Sequence, residues 1–131
     1  MARKKILVVD DEPDIVETIS FRLKKEGYAV ITAADGLEAL DKARNESPNL
    51  IILDVMMPKL DGFQVTRLLK FDDKYNDIPI IMLTAKTQDQ DVATGLKTGA
   101  DEYVKKPFDA ENLMKIVKSR LAMRRHKEEI S

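Results

Sequence analysis

The sequence predicts an α/β fold with a doubly wound, five-stranded parallel sheet, because buried strand candidates alternate with helical segments along the chain. Three short runs are apolar throughout, as in strands that helices cover on both faces of a sheet. They span residues 6–9, 50–53 and 80–83. Residues 28–33 and 101–104 are weaker candidates that complete a set of five strands.

Helical segments separate and follow these strands, and their apolar residues have the three- and four-residue spacing of one helix face. The four clearer segments place these residues on that face: Ile15, Val16, Ile19 and Leu23; Leu37, Leu40 and Ala43; Val65, Leu68 and Leu69; Leu113, Ile116, Val117 and Leu121. Residues 88–98 have few apolar candidates and an internal glycine, Gly95, which costs ~1 kcal/mol relative to alanine. We expect this segment to be the weakest helix.

Turn and cap residues agree with the alternation. Gly27 and Gly99 each lie between a helical segment and a strand, where a left-handed residue commonly ends a helix. Asp61 and Asp109 precede the third and last helical segments and are expected to cap them. Five strand–helix units favour an open sheet over an eight-stranded barrel, which usually needs ~250 residues. Right-handed crossovers then place helices on both faces.

Length and composition indicate one domain and exclude several kinds of site. The 131 residues are 44% hydrophobic and 34% charged, which is typical of a folded domain. With no cysteine and a single histidine, His126, the chain cannot form disulfides, thiol nucleophiles or multi-histidine zinc sites. Any metal is therefore expected to have oxygen ligands. We expect a domain over residues 1–123 and a tail or linker over 124–131, where apolar spacing is lost.

Charge and hydropathy do not favour membrane or nucleic-acid binding. The 22 Lys and Arg residues nearly balance the 23 Asp and Glu residues. No apolar run approaches the ~18 residues of a membrane span, and the first residues lack a secretory apolar segment. We therefore expect a cytoplasmic location. The last helical segment is basic, but cations near a helix C-terminus favour its dipole, so we do not expect this domain to bind nucleic acid.

Polar residues follow four of the five predicted strands. Asp10 and Asp11 follow the first strand, Asp54 the third and Thr84 the fourth, and Lys106 lies two residues beyond the fifth. In doubly wound sheets, ligands bind beyond the carboxyl ends of the strands, where the strand order reverses. Each residue has an ordinary structural explanation on its own, but their combination at one edge indicates a functional site.

The carboxylates at this edge are expected to need a cation. If the first and third strands are neighbours, Asp10, Asp11 and Asp54 lie within a few ångströms of each other. Two like charges ~4 Å apart repel by about 4 kcal/mol at an effective dielectric of ~20. Carboxylate, carbonyl and water oxygens suit Mg²⁺. Lys106 adds a positive charge and Thr84 a hydroxyl group, so the set is similar to phosphoryl-transfer sites.

Asp54 is the expected phosphoryl acceptor, because it follows the most uniformly apolar run and should lie centrally, facing both Asp11 and Lys106. Its carboxylate would act as the nucleophile. The chain has no Gly-x-x-x-x-Gly-Lys loop, so we expect the phosphoryl group to arrive preactivated. A Mg²⁺-dependent phosphatase with an aspartyl nucleophile is an alternative. In that class of enzyme, however, the nucleophile follows the first strand in an Asp-x-Asp pattern. Residues 10–14 read Asp-Asp-Glu-Pro-Asp, and we assign Glu12 and Asp14 to the helix dipole.

Motifs in order along the chain resemble the receiver domain of two-component response regulators, over about residues 5–121. They are Asp10-Asp11; Leu53-Asp54-Val55-Met56-Met57-Pro58; Asp61-Gly62-Phe63; Leu83-Thr84-Ala85; and Tyr103 with Lys106-Pro107-Phe108. The resemblance implies a (βα)5 flavodoxin-like sheet with strand order 2-1-3-4-5. It also implies a cis peptide bond between Lys106 and Pro107.

The resemblance further implies a role for each site residue and a metal cofactor, Mg²⁺. The roles are Asp54 as phosphoacceptor; Asp11, Asp54 and the Met56 backbone carbonyl as direct Mg²⁺ ligands; Asp10 as the holder of a metal-bound water; and Thr84 and Lys106 as contacts of the phosphoryl oxygens. Met56 and Lys86 are also candidates for controlling the access of water to the phosphoryl group.

The partners implied by the resemblance are a phosphohistidine donor and a recipient of the signal. The donor is a sensor histidine kinase or a histidine phosphotransfer protein, and the recipient is a downstream effector or output domain. Thr84 and Tyr103 are the implied switch, although a half-buried edge-strand tyrosine fits the sequence equally well. The surface of residues 88–98, the fifth strand and the last helix is expected to change. It is also a candidate site for homodimer formation on phosphorylation.

Phe21 is a candidate docking residue for the partner kinase. At about 100° per residue it lies nearly opposite the apolar stripe of its helix, although single exposed apolar residues are normal. A pseudo-receiver, a binding module of the same fold that is never phosphorylated, is a further alternative. The intact Asp54, Thr84 and Lys106 disfavour it. His126 lies outside every motif and is expected to be a bystander.

Overall fold

A single parallel sheet organises the fold. The computed structural model describes residues 3–57, 59–84 and 99–130, with side chains up to residue 123. Its elements are β1 (Lys5–Val9), α1 (Pro13–Lys25), β2 (Ala29–Ala33), α2 (Gly36–Glu46), β3 (Leu50–Asp54), α3 (Gly62–Lys70), β4 (Ile80–Thr84), β5 (Glu102–Lys105) and α4 (Ala110–Ile130). The five strands are parallel and follow the order β2-β1-β3-β4-β5. The predicted fold class and strand order are confirmed.

The strands are buried on both faces because each face has its own helices. Successive strand residues point to opposite faces of a sheet. One face, with Leu7 and Leu53, packs against α2 and α3, and the other, with Ile6 and Ile52, packs against α1 and α4. Every residue of β3 and β4 is buried, which explains their uninterrupted apolar runs.

The helix ends confirm the predicted caps. In a capping box at the start of α3, the Gln64 N–H donates to the Asp61 side chain at 2.9 Å, and the Asp61 N–H donates to the Gln64 side chain at 3.0 Å. The Asp109 side chain accepts a hydrogen bond from the Glu111 N–H at 2.9 Å. Gly27, with φ of 98°, follows the C-cap of α1.

Two predicted core positions were wrong. Leu37 is 54% exposed and Leu68 is 46% exposed. The buried face of α2 includes Gly36 instead, and α3 buries Thr66 completely. A glycine and a threonine are inconspicuous in a search for apolar spacing, so that search assigns the stripe to the neighbouring leucines.

The C-terminal helix extends beyond its predicted apolar stripe. α4 continues to Ile130, because residues 122–130 are mostly good helix formers and include no glycine or proline. The domain boundary at residue 123 stays a prediction. The predictions for residues 88–98, for Lys86 and for the side chain of His126 lie outside the described residues. Within the described ranges, no helix has the length and apolarity needed to cross a lipid bilayer.

Candidate functional site

Strand register places the predicted polar residues at one edge of the sheet. Because Val9 and Leu53 are register partners, the next residues are also neighbours: Asp10 directly follows β1, and Asp54 is the last residue of β3. Thr84 ends β4, the other neighbour of β3. The strand order reverses between β1 and β3, and ligands of doubly wound sheets bind at such a point. The predicted juxtaposition of these residues is therefore confirmed.

Lys106 reaches this edge from the loop after β5. Its Nζ lies 2.9 Å from Oδ2 of Asp10 and 3.3 Å from Oδ1 of Asp54. Its backbone N–H donates to the Thr84 carbonyl at 2.6 Å, which ties the loop to β4. The bond from Lys106 to Pro107 is cis, as predicted. One ammonium group thus bridges the carboxylates that follow β1 and end β3.

Burial and charge set the acidity of the site. Asp54 is 4% exposed. Its pKa is raised to about 6, first by burial and then by the negative charge of Asp10, while Lys106 opposes the rise. Burial also disfavours the Lys106 ammonium, but its hydrogen bond to Asp10 and the charge of Asp54 outweigh burial and raise the pKa of Lys106. The site therefore keeps Lys106 charged while it disfavours the ionised form of Asp54.

The acidic residues after β1 have the donor set of a hard-cation site. Carboxylate oxygens of Asp10, Asp11 and Glu12 lie within 4.8 Å of one another. Asp10 is buried, whereas Asp11 and Glu12 are exposed, so the cluster opens to solvent. Mg²⁺ commonly binds through one or two carboxylates and keeps several water ligands. The residues present therefore fit the predicted ion.

Glu12 belongs to this cluster, although the sequence interpretation assigns it to the helix dipole. It occupies the N-cap position of α1, but its side chain makes no capping hydrogen bond. Its N–H donates to Oδ1 of Asp10 at 3.0 Å, and its carboxylate lies 3.9 Å from Nζ of Lys106. In both roles, at the helix dipole or in the acidic cluster, the sequence shows only an acidic residue between a strand and a helix. The path of the backbone distinguishes the two roles.

The loop after β3 places Met56 next to the proposed acceptor. The Val55 N–H donates to the Leu83 carbonyl at 2.9 Å, and the Gly62 N–H closes the loop on the Val55 carbonyl at 2.8 Å. A Cβ atom on Gly62 would lie 2.4 Å from the carbonyl oxygen of Asp54, so this closure requires glycine. The Met56 side chain is 69% exposed. The metal-binding role of the Met56 carbonyl stays a prediction.

The proposed switch and docking residues lie on different elements. Thr84 is buried at the end of β4. Tyr103 of β5 is half-buried and packs against the core cluster between the sheet and α2 and α3. Phe21 is 69% exposed on α1. Their burial is compatible with the predicted roles, which stay predictions.

Comparison with known proteins gives a family for this architecture. The family model described as the response regulator receiver domain matches residues 6–118. Over 116 residues, the chain is 51% identical to the alkaline phosphatase synthesis transcriptional regulatory protein PhoP of Bacillus subtilis (strain 168). That match covers 88% of this chain and 48% of the relative, so the chain spans about half the length of that protein.

Solved structures have the same fold. The signal receiver domain of a signal transduction histidine kinase from Syntrophus aciditrophicus matches with a TM-score of 0.86 and 35% identity, over 91% of this chain and 90% of that chain. Chemotaxis protein CheY4 of Vibrio cholerae matches with a TM-score of 0.84 and 39% identity, over 90% and 98%. The chain belongs to the response regulator receiver domain family.

Proposed function

We propose that this domain accepts a phosphoryl group on Asp54 and transmits the resulting change to a downstream effector or output domain. The proposed donor is a phosphohistidine on a sensor histidine kinase or a histidine phosphotransfer protein in the cytoplasm. One observation carries the proposal: Nζ of Lys106 lies within reach of both Asp10 and Asp54 at the crevice of the sheet. The domain is then a signalling switch that takes part in its own phosphorylation and dephosphorylation.

The proposed transfer exchanges one bond to phosphorus for another. A carboxylate oxygen of Asp54 attacks the phosphorus atom, and the bond to the donor histidine nitrogen breaks, leaving its electron pair on that nitrogen. Lys106 and Thr84 contact the phosphoryl oxygens and stabilise their charge during transfer. Later attack of water on phosphorus releases inorganic phosphate and restores the Asp54 carboxylate.

Asp10, Asp11, Asp54 and the Met56 carbonyl are the proposed holders of Mg²⁺, Asp10 through a water molecule. When bound, the ion neutralises charge on the carboxylates and on the incoming phosphoryl group. Lys106 supplies a single positive charge against these carboxylates, so the edge otherwise keeps an excess of negative charge. We therefore propose that transfer depends on Mg²⁺.

The switch in this proposal links Thr84 to Tyr103. The Thr84 carbonyl accepts the Lys106 N–H, so movement of the threonine toward a phosphoryl group displaces the loop after β5 as well. Tyr103 lies in β5 and is half-buried, so rotation of its ring changes the surface of β5. Homodimer formation on phosphorylation, where it occurs, is proposed for the surface of β5 and α4.

Nucleic-acid binding is not part of the role that we propose for this domain. Two basic side chains of α4 already pair with carboxylates of the same chain. Nζ of Lys118 lies 3.0 Å from Oε2 of Glu26, and the Arg120 guanidinium pairs with Glu102. These intramolecular pairs leave less basic charge for phosphate contacts.

Intact mass spectrometry after incubation with acetyl phosphate and Mg²⁺ tests the acceptor. We expect the wild type to gain about 80 daltons, the mass of a phosphoryl group, and Asp54→Asn to gain none because an amide is a poor nucleophile. Asp14→Asn is the matched control, since Asp14 is an exposed acid in the first turn of α1. It should gain the same mass as the wild type. A wild type without the gain would favour the pseudo-receiver, and a gain retained by Asp54→Asn would indicate another acceptor.

Unfolding at different pH values tests whether the folded protein disfavours the ionised form of Asp54. The pKa of Asp54 is raised from 3.8 to about 6, so the folded chain binds more protons than the unfolded chain between these values. The contribution of protonated Asp54 to the free energy of unfolding is complete below pH ~4 and is lost as the pH rises through ~6. Asp54→Asn should therefore match the wild type at pH 4 and exceed its stability at pH 7 by on the order of 1–3 kcal/mol in EDTA. Urea unfolding measures this difference, and Mg²⁺ should reduce it. Equal stabilities at pH 7 in EDTA would contradict the raised pKa of Asp54.

Hydrogen exchange tests the switch. With Mg²⁺ and beryllofluoride as a phosphoryl mimic, we expect amide exchange to change by severalfold in β5 and the first half of α4. The reason is that a switch acts on elements whose local stability differs between its two states. Asp54→Asn with the same additives is the control and should show no change. Unchanged exchange of the wild type in these elements, despite bound mimic, would refute the proposed coupling.

The kinase-docking role of Phe21 has a matched control on the opposite face of the sheet. Phe71, which follows α3, is 73% exposed and Phe21 is 69% exposed. If Phe21 anchors the kinase, Phe21→Ala should slow phosphotransfer from the cognate kinase by about tenfold, as loss of an aromatic anchor does at other interfaces. Phosphorylation by acetyl phosphate should be unchanged, and Phe71→Ala should behave like the wild type. Equal transfer rates for both variants would eliminate the docking role.

A further inference from the structure

The loop that follows Asp54 rests on the N-terminus of α2. A Cβ atom on Gly36, the first residue of α2, would lie 1.9 Å from the backbone oxygen of Leu60 and 2.7 Å from its carbonyl carbon. Such distances are impossible for a side chain, and the obstructing atoms are backbone atoms that cannot rotate away. The position therefore requires glycine because of a close approach between two backbones.

An ion pair joins the same two segments. Nζ of Lys59 lies 3.4 Å from Oδ2 of Asp35, the N-cap residue of α2. The other carboxylate oxygen of Asp35 accepts the Glu38 N–H at 2.9 Å, which holds the carboxylate in place. Lys59 has a φ of 70°, which an L-residue rarely adopts, so this turn depends on the contacts around it.

The two ends of the loop are thus fixed by different partners. Its base is closed by the hydrogen bond from Gly62 to Val55, beside the backbone of Asp54. Its outer half, at Lys59 and Leu60, is held by α2. Between these anchors lies Met56, whose carbonyl is a proposed metal ligand. The outer half of the loop that contains Met56 is therefore held by α2 and not by the strands.

We propose that Gly36 is a positioning residue for the phosphoacceptor loop, and that the Asp35–Lys59 pair assists it. A side chain at residue 36 would push Leu60 and the loop away from α2 by on the order of 1 Å, a misplacement that can cost about a hundredfold in a transfer reaction. The inference rests on the proposed function, because it concerns the loop that holds Asp54 and Met56.

The test compares Gly36→Ala, Lys59→Ala and Asp35→Asn with the wild type. Asparagine is a good N-cap, so Asp35→Asn removes the charge while it preserves the cap. Two measurements are made: the Kd of Mg²⁺ from shifts of backbone amide signals, without any phosphoryl donor, and the rate of phosphorylation by acetyl phosphate. We expect Gly36→Ala to raise the Kd and to slow phosphorylation by about ten- to a hundredfold. The other two variants should show smaller changes in the same direction, with the amide signals of residues 55–57 displaced in all three.

Ala43→Gly is the control for a general weakening of α2. Ala43 is buried in the same helix, and glycine there lowers helix stability without touching the loop. The inference is supported if Ala43→Gly loses thermal stability but keeps the wild-type Kd. It is overturned if both variants raise the Kd equally at equal loss of stability, or if Gly36→Ala binds Mg²⁺ like the wild type. If Gly36→Ala does not fold, Lys59→Ala and Asp35→Asn decide in the same way.

Failure of the inference and failure of the proposed function give different results. A wild type that neither binds Mg²⁺ nor becomes phosphorylated would refute the proposed function, and the inference with it. A wild type that does both, beside variants that match it in the Kd and the rate, would refute the inference alone.

Discussion

The contact of one ammonium group with two buried carboxylates is the interaction on which the site depends. Asp10 is 2% exposed and Asp54 is 4% exposed, so neither charge is stabilised by bulk water. Removing the ammonium group would leave two buried carboxylates without compensation, and such a loss costs several kcal/mol in other proteins. Lys106 is held in turn by its backbone bond to Thr84. Residues at the ends of three strands thus contact Lys106: Asp10 after β1, Asp54 in β3 and Thr84 in β4.

The burial of the central strands explains why the fold tolerates an electrostatically unfavourable site at the carboxyl edge of its sheet. β3 and β4 are completely buried and pair with neighbours on both sides, so packing and strand pairing restrain the residues at their ends. These restraints hold Asp54 in an environment that disfavours its ionised form. The excess negative charge is consequently a source of binding energy for a cation or a positively charged partner group, rather than a cause of local rearrangement.

Much of the fold and part of the site could be predicted from the sequence. Apolar runs and strand ends sufficed for the sheet and for the edge where Asp10, Asp54 and Thr84 meet, because parallel strands bring their carboxyl ends together. The strand order came from the family resemblance, since spacing alone does not determine it. That Asp54 faces Lys106 was predicted, but the pairing of Lys106 with Asp10 and the position of Glu12 could not be predicted. They depend on the course of loops, where a change of a few ångströms alters which charges meet.

The proposed phosphorylation of Asp54 would alter the charge balance that Lys106 maintains. A phosphoryl group brings about −1.5 to −2 charges and three acceptor oxygens to Asp54. An ammonium that turns toward those oxygens is shared with Asp10, which is buried and then needs a second cation. The carboxylates of Asp10, Asp11 and Glu12 are close enough together to hold one. In the proposed function, a divalent ion at this cluster would therefore favour the phosphorylated state, and by thermodynamic linkage the phosphoryl group would strengthen binding of the ion.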